Sequence, residues 1–157
     1  MNILLVCTGN TCRSSMAEGI FKQMLLNSNI ENINVSSAGL SAFQGDRANQ
    51  KAVDVLKNQG IDISKHRARQ LTGEIISSSD LILTMTAAHK MSILNYDPQS
   101  KRKVFTLKEY ASKTDGEESD NINLDIDDPY GMDYSVYEKV MNEIRIEIES
   151  IINKLKK

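Results

Sequence analysis

The chain has 157 residues, 40% of them hydrophobic and 25% charged, and carries a formal net charge of −2. This is the size and composition of a single globular domain, expected over 1–157, with a core of its own; the near balance of charge excludes a global field directed at nucleic acid or an anionic membrane. Two local basic runs, Lys65-His66-Arg67-Ala68-Arg69 and Lys101-Arg102-Lys103, read as solvated loops.

The two cysteines, Cys7 and Cys12, are too few for the disulfide framework of a small secreted domain. The first residues lack the charged and long apolar regions of a signal peptide, and no apolar run approaches the ~20 residues of a membrane helix. These signs point to a reducing cytoplasm, where a cysteine serves chemistry more often than structure.

In chain order, Ile3-Leu4-Leu5-Val6 is a short continuous apolar run, the pattern of a buried central strand. Apolar residues at 16, 17, 20, 21, 24 and 25 predict a helix from Met16 to Leu26. Asn34-Val35-Ser36 reads as a second strand, closed by Ser37-Ala38-Gly39. A helix from Ala48 to Asn58 would turn Ala52, Val53, Val55 and Leu56 inward and stop at Gly60. Leu71 to Ser77 reads as a short helix, Asp80 to Thr84 as the third strand and Ala87 to Asn95 as a helix. Val104-Phe105 marks a fourth strand, followed by a helical turn through Tyr110.

The stretch from Ser112 to Asp127 is rich in Asp, Glu, Ser and Asn. Counted to Asp128 it holds seven acids and one lysine, a charge of −6 that leaves +4 on the rest of the chain. It reads as a long loop, functional or mobile. Beyond it, Val136, Val140, Met141, Ile144, Ile148, Ile151, Ile152 and Leu155 form a stripe at helical spacing, the mark of a long amphipathic helix that covers the sheet. Strands alternating with helices make an α/β fold, a parallel sheet with helices on both faces.

The chemistry concentrates in Cys7-Thr8-Gly9-Asn10-Thr11-Cys12-Arg13-Ser14, between the first strand and the first helix. A loop at the carboxyl end of a strand, running into a helix N-terminus, presents backbone N–H groups in a concave arc that suits a tetrahedral anion. Cys7 sits at the base of that arc. Amide donors and a helix dipole around a sulfur favour thiolate over thiol, and a thiolate attacks without a separate base. Gly9 and Asn10 tolerate left-handed backbone angles. Arg13 can close the ring with a planar fork matched to phosphoryl oxygens. Ser14 can donate a hydroxyl hydrogen bond to the sulfur. An inert core cysteine does not explain Cys, Gly-Asn and Arg together. Zinc would need four ligands, whereas His66 and His89 lie far away in sequence. Nucleotide-binding glycine motifs are absent.

Phosphoryl transfer to Cys7 also needs a proton for the leaving group. Asp128, in Asp128-Pro129-Tyr130-Gly131, is the candidate acid. A carboxylic acid above a bound anion holds its proton more tightly, and the following proline restricts Asp128 to extended angles. Asp125 and Asp127 stand close by, and composition does not choose among the three. Tyr130 is a candidate for the pocket rim.

With these residues in view, Cys7 to Ser14 resembles the Cys-x5-Arg-Ser loop of the low-molecular-weight protein tyrosine phosphatases, and Asp128-Pro129 resembles that family's late general acid. Met16-Ala17-Glu18, Ser37-Ala38-Gly39, Gly60-Ile61-Asp62 with Ser64 and His66, Asp80 to Met85 and Val104 to Tyr110 extend the likeness over essentially the whole chain. The resemblance implies a three-layer fold with a four-stranded parallel sheet in order 2-1-3-4, a cysteinyl-phosphate intermediate, and no metal or cofactor. It implies catalytic roles for Cys7, Arg13 and Asp128, a phosphate-binding loop of Thr8, Gly9, Asn10, Thr11, Cys12, Arg13 and Ser14, and a reversible disulfide between Cys7 and Cys12. The expected partners are phosphorylated proteins, with a monomer favoured.

Within the family, Cys-Thr-Gly-Asn-Thr-Cys-Arg-Ser is similar to the bacterial protein-arginine phosphatases. Tyrosine-directed relatives usually carry a bulkier aliphatic residue at the position of Thr11. A small polar side chain leaves room for a phosphoguanidinium group, so Thr11 and Tyr130 are the expected specificity residues, with phosphoarginine favoured and phosphotyrosine the alternative. Two features depart from the family pattern: Ser15 stands where proline is usual, and the acidic loop is long. A thiol-based arsenate reductase would need further cysteines after Cys12, and there are none. A non-catalytic phosphate-binding module would not need Cys7, Arg13 and Asp128 together.

Overall fold

The computed structural model describes residues 1–113 and 123–156. Its elements run β1 (Asn2–Cys7), α1 (Arg13–Asn27), β2 (Asn34–Gly39), α2 (Gln50–Lys57), α3 (Gly73–Ser78), β3 (Leu81–Thr84), α4 (Ala87–Tyr96), a 3-10 turn (Pro98–Arg102), β4 (Val104–Thr106), α5 (Leu107–Ala111) and α6 (Tyr134–Leu155). The four strands are parallel in the order β2-β1-β3-β4, as the resemblance implies.

Alternation along the central strands divides the core. Ile3, Leu5 and Cys7 of β1, with Leu81 and Leu83 of β3, face a large cluster built with α1, α2, α5 and α6. Leu4, Val6 and Ile82 point the other way, onto Ile76 of α3 and Ile93 of α4. Burial on both faces is why β1 reads as an unbroken apolar run. The α6 stripe packs as expected and adds Tyr137, a fully buried aromatic that the aliphatic pattern does not reveal. Among the described residues no helix is long and apolar enough to cross a membrane.

Element boundaries differ from the sequence reading where polar residues carry structure. α1 begins at Arg13, three residues before Met16, because its first turn belongs to the loop. β2 continues through Ser37-Ala38-Gly39, since Cys7 pairs in register with Gly39. The 3-10 turn, started by Pro98 and capped by Asp97, has no apolar period to announce it. Gly60, at a φ of 76°, closes the chain after α2. The middle of the acidic stretch, 114–122, lies outside the described residues.

The basic runs are not simply solvated loops. Arg69 donates from Nε to the Ser37 carbonyl and from its guanidinium to Ser36 Oγ, and Lys103 donates to the carbonyls of Ile76 and Ser79 at the end of α3. Long cationic side chains here donate to backbone carbonyls and so tie the runs to β2 and to the end of α3.

α6 depends on Asp133, whose side chain accepts from the Val136 N–H and caps the helix. Asp133→Ala should cost about 1 kcal/mol, read as a lower urea midpoint with an unchanged slope; an unaltered midpoint would show that the cap is dispensable.

Candidate active site

The carboxyl ends of β1, β2 and β3 lie side by side, with Cys7 opposite Gly39 and Val6 opposite Thr84. The loops that leave β1 and β2 meet the segment before α6 at a pocket of about 360 Å³. Cys7, Thr8, Gly9, Thr11, Cys12 and Arg13 line it from the loop, Asp128 and Tyr130 from the segment before α6. Asn10 and Ser14 lie behind the wall, both fully buried.

Those two residues hold the sulfur. Asn10 sits at a φ of 59°, in the left-handed region that asparagine tolerates better than most residues. Its N–H points at Cys7 Sγ, 3.3 Å away. Its side-chain amide donates to Ser14 Oγ at 2.8 Å and to Ser37 Oγ at 2.9 Å, while its Oδ1 accepts from the Arg69 N–H at 3.0 Å. His66 Nε2 donates to its carbonyl at 2.7 Å. Because Ser14 Oγ already accepts from Asn10, its own proton is free to reach Cys7 Sγ, 2.9 Å away. Gly39 is required here: a Cβ would come within 2.5 Å of the Thr8 carbonyl.

α1 starts at this loop with no side-chain cap. The N–H groups of its first turn are thereby left for an anion at the helix N-terminus. Arg13, only 5% exposed, donates to the Ile126 carbonyl at 3.0 Å and lies 3.6 Å from Asp128 Oδ2.

The structure separates the three aspartates. Asp125 accepts from the Ala87 N–H at the start of α4, Asp127 is exposed and does not line the pocket, and Asp128 lines it with its side chain 52% exposed. Asp128 Oδ1 accepts from the Tyr130 N–H at 3.0 Å, a turn that aims the carboxylate. The Ile126 N–H donates to the Met85 carbonyl, and the Ile126 side chain is fully buried, so this segment is fastened to the end of β3. Tyr130 is 70% exposed and lies at the rim.

Both cysteines are free thiols. Burial pushes the Cys12 thiol up, and its sulfur lies 3.3 Å from the Tyr137 hydroxyl. His89, 7% exposed, places Nε2 2.9 Å from Thr8 Oγ1. Its burial, helped by the Arg13 guanidinium, holds the imidazole down at about 4. Among the described residues no group of three or more His, Cys, Asp or Glu side chains is arranged to hold a metal.

Sequence reasoning missed Ser41, Phe43 and Asp46, which line the pocket from the segment after β2, and His89 behind Thr8. The rule that ligands sit beyond the carboxyl ends of strands points to the first segment, though not to which residues face inward. Nothing in the sequence connects His89 to Thr8.

Comparison with known proteins agrees with this geometry. The family model for low molecular weight phosphotyrosine protein phosphatase matches residues 2–157. A protein-arginine-phosphatase of Bacillus subtilis is 38% identical over 157 residues, covering 100% of this chain and 98% of the relative. One from Geobacillus stearothermophilus is 40% identical over 153 residues, covering 98% and 95%. A solved structure of a cysteine-to-serine variant of the YwlE arginine phosphatase, with a phosphorylated active-site serine, superposes with a TM-score of 0.89 at 37% identity, covering 100% of this chain and 97% of that one. The loop that cradles Cys7, the sheet order and the full-length match have one explanation: the chain belongs to the low molecular weight phosphotyrosine protein phosphatase family.

Proposed function

We propose that this chain hydrolyses phosphoarginine in proteins, with Cys7 as nucleophile, Arg13 as phosphoryl clamp and Asp128 as general acid and then base. The observation that carries the substrate choice is Thr11, a small hydroxyl side chain in the pocket wall where an aryl ring would favour an aliphatic surface. The two relatives named as protein-arginine phosphatases support it. A full-length relative from Ralstonia nicotianae, 37% identical, is named as a probable protein-tyrosine phosphatase, so phosphotyrosine is the reading to test against.

In the first step Cys7 Sγ attacks phosphorus, the P–N bond breaks, and the Asp128 proton goes to the departing guanidino nitrogen. The N–H groups around the loop and the Arg13 guanidinium meet the charge on the equatorial oxygens. In the second step Asp128 takes a proton from water, whose oxygen attacks phosphorus; the S–P bond breaks with its electron pair returning to sulfur, and phosphate leaves. The Ser14 hydroxyl, already directed at Sγ, stabilises the departing thiolate. The free cysteines suit a reducing compartment, and we place the protein in the cytoplasm acting as a monomer on phosphorylated proteins.

Three measurements test this. Cys7→Ser should abolish turnover of p-nitrophenyl phosphate while inorganic phosphate still binds; retained turnover would remove Cys7 from the chemistry. Asp128→Asn should lower kcat on a phosphorylated peptide by about 10²- to 10⁴-fold, and less on p-nitrophenyl phosphate, whose leaving group hardly needs a proton; an equal loss on both would argue against an acid. Wild type should prefer phosphoarginine over phosphotyrosine peptides, with Thr11→Ile moving the ratio towards phosphotyrosine. A wild type that prefers phosphotyrosine defeats the substrate assignment.

A further inference from the structure

Thr8 is exposed in the pocket wall, and its hydroxyl touches a residue 81 positions away along the chain. Thr8 Oγ1 lies 2.9 Å from Nε2 of His89, on the first turn of α4. His89 is 7% exposed, and its second ring nitrogen, Nδ1, is buried with no hydrogen-bond partner among the described residues. A neutral imidazole carries one proton, on one nitrogen or the other. On Nδ1 it would be a buried donor with no acceptor, an arrangement folded proteins avoid. On Nε2 it is donated to Thr8 Oγ1. The Thr8 oxygen is then an acceptor towards the ring, and its own proton is released to point elsewhere, into the pocket that Thr8 lines.

His89 is held firmly enough to do this. Its backbone N–H is bonded to Thr86 Oγ1, and the adjoining Ala87 N–H to Asp125 Oδ1. Met85, just before, accepts from Ile126 of the segment that carries Asp128. On the other side, the Thr8 carbonyl accepts from the Ser41 N–H. Thr8 and His89 are therefore brought together by two anchored backbones.

We propose that His89 is a positioning residue: through an Nε2–H···Oγ1 bond it orients the Thr8 hydroxyl as an additional hydrogen-bond donor to the phosphoryl group in the Cys7 pocket. The inference rests on the phosphatase reading of that pocket, though not on the choice between phosphoarginine and phosphotyrosine. It adds a side-chain donor to the amide ring and Arg13, and joins the phosphate loop to the same turn of α4 that fastens the acid-bearing segment.

The test uses inhibition of p-nitrophenyl phosphate turnover by inorganic phosphate, well below the melting temperature of every variant. His89→Leu should raise the inhibition constant for phosphate 5- to 10-fold, and His89→Gln, which keeps a donor near the position of Nε2, should stay within twofold of wild type. Thr8→Val should weaken phosphate as much as His89→Leu, and the double variant should be no worse than Thr8→Val alone. In ¹⁵N NMR of the wild type, His89 should show a protonated Nε2 and an unprotonated Nδ1. Phosphate binding that is unchanged or tighter in His89→Leu, effects that add in the double variant, failure of glutamine to rescue, or a proton on Nδ1 would each overturn the proposal. If His89→Leu does not fold, Thr8→Val and the NMR assignment decide it. A wild type with no turnover of p-nitrophenyl phosphate would defeat the phosphatase reading itself, a different result from a working enzyme indifferent to residue 89.

Discussion

Asn10 turns the chain through the left-handed region, and its buried amide has a partner at every position that the site uses: Ser14 and Ser37 for its two protons, the Arg69 N–H for its oxygen. The rest of the pocket depends on this one saturated side chain. Its backbone N–H faces Cys7 from that left-handed turn, and with Asn10 donating to Ser14 Oγ the serine hydroxyl keeps its own proton for the sulfur. A buried polar network of this kind is costly when incomplete and rigid when complete. Gly39, with no Cβ, lets the neighbouring strand approach closely enough for the turn to fit.

Asp128 reaches the pocket by a separate route. Ile126 is anchored by its side chain in the core and by its N–H to Met85, and it presents its carbonyl to Arg13. Asp128, two residues on, lies beside the same guanidinium. In the free protein Arg13 thus has a carbonyl and a carboxylate as partners. A phosphoryl group bound in the pocket, as proposed above, would compete for the guanidinium by charge and geometry, and each N–H···O bond it formed would weaken the hold on Asp128. One arginine consequently touches both the pocket and the Asp128 carboxylate.

Much of this was legible before any coordinates. Cys7 to Ser14 follows from residue type and spacing, because a thiol at the base of the arc, residues that tolerate unusual angles and a fork-shaped cation all fall within a single loop. The strands and long helices follow from apolar period, and β1 in particular from burial on both faces. Less legible were the parts held by polar contacts at long range. Arg69 and His66 appeared as members of a solvated basic run, yet they brace Asn10 and β2. Asp125 and Asp128 were equivalent by composition, and only their neighbours distinguish a helix cap from a pocket carboxylate.

The amino-acid order alone determined the fold class and the anion-cradle character of the loop with Cys7 at its base, since these depend on local period and on eight consecutive residues. Tertiary structure placed Asp128 in the pocket wall, and decided which residues after β2 line it and that His89 stands behind Thr8, 81 positions away. The physical reason is that a hydrogen bond is directional and reaches about 3 Å. Whether two distant side chains share one depends on the packing of β1 against β3 and on the start of α4, which no local pattern records.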